Sequence, residues 1–149
     1  MQKRETKITR NYLKYPAGSV LIETGNTKVI CTATVQKGVP FFVQDANPPQ
    51  GWLTAEYSML PGAPNSRFRR ERNGVKGRTA EIQRLIGRSL RAVIDLTKFP
   101  NYQLILDCDV LQADGGTRTA AITGACLAAY DAFQTMLQKN LISEMPLQQ

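Results

Sequence analysis

At 149 residues the chain is long enough for one domain with a sizeable core, and its 42% hydrophobic and 21% charged content is that of an ordinary soluble protein. No apolar run approaches the ~20 residues that a bilayer requires, and the opening MQKRETKITR has no apolar core, so the sequence predicts neither a membrane span nor a secretory signal. Histidine is absent, which excludes Ser-His-Asp and Cys-His catalysis, and the formal net charge of +7 favours a polyanionic partner.

The predicted elements run as follows. Lys7 to Leu13 reads as a first strand. Val20 to Thr24 and Lys28 to Val35 are rich in Val, Ile and Thr and flank Gly25-Asn26, a turn suited to a tight hairpin. Asp45 to Gly51 is a turn-rich loop, and Leu53 to Leu60 a further strand. After Pro61 the chain becomes basic: Arg67, Arg69, Arg70, Arg72, Lys76 and Arg78 stand against Glu71 alone, which is five of the seven net positive charges. Such runs are usually solvated surface. Uncompensated like charge is destabilising, however, and this density points to neutralisation of phosphates. Phe68 in its midst could stack on a base.

From Thr79 the pattern turns helical, with Ile82, Leu85, Ile86, Val93 and Ile94 on one expected apolar face. Pro100 closes that region. Leu104 to Leu111 reads as a buried strand, and Ile122, Cys126, Ala129, Phe133 and Leu137 as a second helical stripe. Cys31, Cys108 and Cys126 each lie in an apolar stretch and are expected to be buried free thiols; their spacing makes a poor zinc site. The order of strands, helix, strand and helix predicts an α+β architecture.

The junction Ala113-Asp114-Gly115-Gly116-Thr117-Arg118-Thr119 is the most informative segment. Two glycines allow a sharp turn and close approach of the backbone to a ligand, while a helix start offers free N–H groups and a positive dipole end. Thr117 adds a hydroxyl and Arg118 a planar fork, so the segment is a candidate anion site. Gly77-Arg78-Thr79 opens the other predicted helix in a similar way. Whether both arginines meet on one phosphate is left open by the sequence, and a glycine turn with a capping threonine and a surface arginine remains the plain alternative. Asp107, Asp109 and Asp114 are candidates for metal binding or proton transfer, though ordinary strand-end and turn roles suit them as well or better.

These blocks carry a resemblance. ITRNY (Ile8 to Tyr12), GSVLIE (Gly18 to Glu23), TKVICTA (Thr27 to Ala33), GWLTAEYSMLP (Gly51 to Pro61), GRTAEIQRLIGRSLRAVIDL (Gly77 to Leu96) and LDCDVLQADGGTRTAAITGAC (Leu106 to Cys126) resemble, in order, the ribonuclease PH family. The resemblance implies an α+β fold of the ribosomal-protein-S5-domain-2-like type, with residues 1–149 forming the N-terminal portion of a single domain. It implies a phosphate-dependent 3′–5′ exoribonuclease, a tRNA nucleotidyltransferase. Such an enzyme trims precursor transfer RNA, and to some extent ribosomal RNA, and releases nucleoside diphosphates. It implies a cytoplasmic, ring-shaped hexamer of dimers with no membrane partner, inorganic phosphate as co-substrate, and magnesium. The family's phosphate-binding residues fall on Arg78, Gly116, Thr117 and Arg118. Its RNA-binding arginines fall on the basic loop, where Arg67 and Arg70 match best and Arg69 and Arg72 are helpers.

The sequence departs from the family pattern in three places. Only MQKRETK precedes the ITRNY block, where the family carries a longer basic segment. The loop after Pro61 is shorter, with Gly62 where a basic residue is common. Finally, the residues 145–149 stand where the family continues into a second half that bears its acidic catalytic and magnesium-binding residues. No catalytic or metal-binding residue is therefore assigned here. The chain is expected to be an incomplete domain, and a catalytically inactive RNA- and phosphate-binding remnant or subunit is the second reading.

Overall fold

The structure, a computed structural model, describes residues 2–148. Five strands form one sheet in the order β1-β2-β3-β5-β4. They are β1 (Thr6–Arg10), β2 (Gly18–Thr24), β3 (Thr27–Lys37), β4 (Trp52–Met59) and β5 (Tyr102–Gln112). Two helices, α1 (Gly77–Arg91) and α2 (Thr117–Gln138), complete the α+β arrangement. The first four strands in spatial order are antiparallel, whereas β4 runs parallel to β5, as the helical crossover between them requires.

The β2–β3 hairpin follows from its sequence. Val, Ile and Thr suit a pleated surface, and Gly25, at φ +57°, closes the two-residue turn. Strand register then sorts the side chains. Val20, Cys31, Cys108 and Tyr57 form one row across four strands, and Gly18, Ala33, Leu106 and Ala55 the next. All of these are buried, and both helices cover this one face. The alternate residues, among them Leu21, Ile30, Thr32, Ile105, Asp107 and Glu56, point to the other face, which no helix covers.

The helices differ from the sequence expectation in which faces they bury. In α1 the core residues are Ile82, Ile86 and Leu90, while Leu85 is 38% exposed. Val93, 39% exposed, and buried Ile94 lie beyond the helix end, where Ile94 bridges to Leu147. In α2 the core face is made of small residues: Ala121, Gly124, Ala125, Ala128, Ala129 and Ala132, with Phe133 and Met136. Ile122, Cys126 and Leu137 are only partly buried beside it. Helical periodicity marks apolar positions, but here the closest approach to the sheet selected side-chain size over hydrophobicity.

That approach is very close. A Cβ on Gly18 would overlap the Ala128 carbonyl oxygen, and one on Gly124 would lie 2.6 Å from the Cys31 sulfur. Cys31 and Cys108 are buried as expected, but Cys126 is partly exposed. The Cys31 thiol beside Cys108, and then burial, hold the Cys108 thiol well above its ordinary value, so it stays protonated and unreactive. The contact between helix and sheet predicts that Gly18→Ala lowers stability by roughly 1–3 kcal/mol through overpacking, which chemical denaturation of parent and variant would measure. An unchanged midpoint would show that α2 can shift without cost.

Candidate functional site

Strand β5 ends at Gln112, and the chain turns through Ala113, Asp114, Gly115 and Gly116 into α2. Gly115 and Gly116 have φ of +85° and +74°, a left-handed conformation that L side chains adopt only with strain. Several groups hold this turn. The fully buried Thr27 hydroxyl donates to the Gly115 carbonyl at 2.7 Å and accepts from the Asp114 N–H at 3.0 Å. The Ala113 N–H donates to the Ala63 carbonyl at 3.0 Å. Arg4 donates to the carbonyls of Asp114 at 3.0 Å and Gly115 at 3.2 Å. Tyr57, buried on β4, donates its hydroxyl to Thr117 Oγ1 at 3.1 Å and so orients that side chain.

Both helices begin without a capping side chain, at Gly116 for α2 and at Lys76 for α1. Their first-turn N–H groups are therefore free for a ligand. The two starts meet at one cavity of about 410 Å³, lined by Arg78, Gly115, Gly116, Thr117, Arg118 and Thr119 with Met59 in its wall. Arg78 and Arg118, whose meeting the sequence left open, line this same cavity. Arg118 leans on Glu81 of α1 at 3.5 Å, a solvent-exposed pair. No acidic side chain lines the cavity. Two guanidinium groups, uncapped N–H groups and a helix dipole at one cavity make it a candidate site for a compact anion.

The basic segment is an exposed loop along the β4 side of the sheet, as the sequence suggested. Its single acid serves the structure, for Glu71 accepts a hydrogen bond from the Thr79 hydroxyl at 2.8 Å and ties the loop to the start of α1. Arg70 and Arg72, with Phe68, line a second cavity of about 400 Å³ that shares Met59 with the first. Arg67 and Arg69 are exposed and line neither cavity. None of the four arginines forms an ion pair among the described residues.

Across the second cavity lie Glu56, Asp107 and Asp109, which share the open sheet face as strand alternation requires. Asp107 is half-buried; burial first, then the charges of Glu56 and Asp109, raise its carboxyl above the ordinary 3.8. Asp109 shifts the same way through desolvation and Glu56, although its side chain reaches solvent more freely. Among the described residues no three acidic or cysteine side chains converge so as to hold a metal ion. Asp114 lies on the outer side of the glycine turn and is not part of the anion cavity. The sequence reading missed Arg4, Thr27, Tyr57, Glu81 and Met59, because each reaches the site only through chain folding.

These charges have two measurable consequences. Glu81→Gln releases Arg118 from an exposed pair and is expected to tighten inorganic phosphate binding by about two- to fivefold, measured by titration calorimetry; weaker binding would mean that Glu81 positions Arg118 rather than competing for it. For Asp107, the folded state holds the proton more tightly than the unfolded state. The linked stability is thus present below the ordinary value of 3.8 and is lost as pH rises through the raised value. Asp107→Asn is therefore expected to be more stable than the parent at neutral pH, with the advantage vanishing in acid. Denaturant midpoints across pH would show it.

Residues 2–133 match the model of the 3′ exoribonuclease family, domain 1. Among solved structures, the chain is similar to rice (Oryza sativa) Rrp46, with 22% identity and a TM-score of 0.72 over 89% of this chain and 57% of that one. It is similar to a chain of the Archaeoglobus fulgidus exosome with RNA bound to the active site, with 22% identity and a TM-score of 0.77 over 98% and 58%. An archaeal exosome core gives 20% identity and a TM-score of 0.73 over 99% and 57%. These likenesses establish the fold, and the chain spans less than three fifths of the length of each of those structures. By a family match over residues 2–133, the chain belongs to the ribonuclease PH, or 3′ exoribonuclease, family.

Proposed function

We propose that this chain works in phosphorolytic 3′–5′ exoribonuclease chemistry, with inorganic phosphate bound by Arg78, Arg118, Gly116 and Thr117. The observation that carries this reading is the meeting of Arg78 and Arg118 at one cavity between two uncapped helix starts. In the reaction a phosphate oxygen attacks the terminal phosphorus, the bond to the preceding 3′ oxygen breaks, and a nucleoside diphosphate leaves while that oxygen takes up a proton. The two guanidinium groups offset the repulsion between the anions and hold phosphate in line. The basic loop, through Arg67, Arg69, Arg70 and Arg72, guides RNA by its phosphates, and Phe68 offers a stacking surface. Precursor transfer RNA 3′ ends, together with ribosomal RNA ends, are the proposed substrates. A cytoplasmic homo-oligomer, ring-shaped and hexameric, is the proposed assembly, with residues 1–149 as one structural unit of it.

A second reading has its own support. The anion cavity contains no carboxyl group to supply the proton that the leaving oxygen needs. On that reading the chain is a phosphate- and RNA-binding subunit whose active site is completed by other residues.

Incubation with 3′-extended transfer RNA, magnesium and inorganic phosphate separates the two, by chromatography of released nucleotides. Phosphate-dependent nucleoside diphosphates that fall at least about a hundredfold with Arg118→Ala support the enzyme. Salt-sensitive RNA binding without release supports the subunit. Replacing Arg67, Arg69, Arg70 and Arg72 together by Ala is expected to lower the slope of log affinity against log salt by up to about 0.7 per lost contact on single-stranded RNA; an unchanged slope would place the RNA elsewhere.

A further inference from the structure

We propose that Arg4, acting with Thr27, is a positioning residue that presets the glycine turn of the anion site from behind. This rests on the phosphate reading above and extends it to residues outside the cavity. The observations concern backbone geometry. Arg4 Nη1 donates to the carbonyls of Asp114 at 3.0 Å and Gly115 at 3.2 Å, while Thr27 donates to the same Gly115 carbonyl at 2.7 Å. One carbonyl of a strained turn thus accepts from two side chains on the far side of the sheet order from α1. Arg4 itself does not line the cavity.

The clamp is anchored in turn. A Cβ on Gly25 would meet Arg4 Cδ at 2.9 Å, so the arginine stem lies on the β2–β3 turn. The Gly25 N–H donates to the Glu5 carbonyl at 2.9 Å, and Gln112 Nε2 donates to the Asn26 carbonyl at 2.5 Å. The N-terminal segment, the hairpin turn and the end of β5 therefore form one connected frame. A Cβ on Gly116 would lie 2.9 Å from Arg4 Nη2, so the guanidinium also occupies the space that a side chain there would need.

This frame affects both entropy and charge. With its carbonyl held by Arg4 and Thr27, Gly115 cannot rotate freely, and the turn loses less conformational freedom when phosphate binds. Arg4 has no carboxylate partner among the described residues, so its charge also remains near the turn. Geometry and charge make different predictions for lysine. Lysine keeps the charge, but its Nζ stands where the arginine has Cζ, one bond short of the Nη1 that donates to both carbonyls.

The test is amide hydrogen exchange by NMR on the full chain, with inorganic phosphate titrated as the probe. Arg4→Ala is expected to speed exchange at Ala113, Asp114 and Ala120, the hydrogen-bonded amides of the turn and the first turn of α2, by about tenfold and to weaken phosphate binding by about tenfold, with exchange at the centres of β3 and β5 unchanged. Arg4→Lys is expected to leave exchange fast. Thr27→Val, which keeps shape and loses the hydroxyl, is expected to repeat the local exchange effect. Unchanged exchange at the turn in Arg4→Ala overturns the proposal, whether or not phosphate binding weakens, and so does full rescue by lysine. If the parent chain binds no phosphate, the phosphate reading itself fails and the role given to Arg4 falls with it; the exchange data identify that case, because the clamp would still be seen.

Discussion

The close seating of α2 on the sheet governs the rest of this molecule. Alanines and glycines on the inner helix face let its backbone come within contact of β2 and β3, and Gly18 and Gly124 stand where any larger side chain would collide. Packing at this distance fixes the helix along its axis and about it. It thereby fixes where the first turn of α2 begins, and with it the glycine turn and Arg118. The small residues contribute little buried area each, but the row from Val20 to Tyr57 beneath them closes a continuous core with Ile82, Ile86 and Leu90.

The charges are arranged on this frame with little internal pairing. Cations collect at the two helix starts and along the loop from Arg67 to Arg72, whereas the acids Glu56, Asp107 and Asp109 share the open sheet face. A cavity lined by two arginines and no carboxylate would favour a compact anion, against which Glu81 draws on Arg118 from outside the cavity. Asp107 and Asp109 are instead held above the ordinary carboxyl value, first by burial and then by the charge of Glu56. Met59 lines both cavities, which therefore adjoin.

Much of the fold was legible along the chain. The β2–β3 hairpin follows from Val, Ile and Thr alternation around Gly25-Asn26, and β4, β5 and both helices lie where periodicity placed them, with ends shifted by a few residues. Strand β1 is shorter than expected, stopping at Arg10, because Asn11 takes a positive φ of 54° and ends the ladder. The helix faces were less legible. Apolar spacing rightly picked Ile82, Ile86, Ala129 and Phe133, but it also picked Leu85, Ile122, Cys126 and Leu137, and beside Ile122 and Cys126 burial went to the alanines where backbones approach most closely. A one-dimensional pattern reports hydrophobicity and is blind to the distance between the surfaces it must fit.

The sequence by itself determined the chemistry of the candidate site. The glycine pair, the threonine, the arginine after it and the second Gly-Arg-Thr are local features, and their conformational and charge properties hold wherever the chain folds. Tertiary structure alone decided that Arg78 and Arg118 share a cavity, that Glu81 leans on one of them, and that Arg4, Thr27 and Tyr57 hold the turn between them. Arg4 and Gly115 are separated by 111 positions. Their contact depends on strand order and register, which no local propensity encodes, and that is why the residues that make the site were readable while those that hold it in place were not.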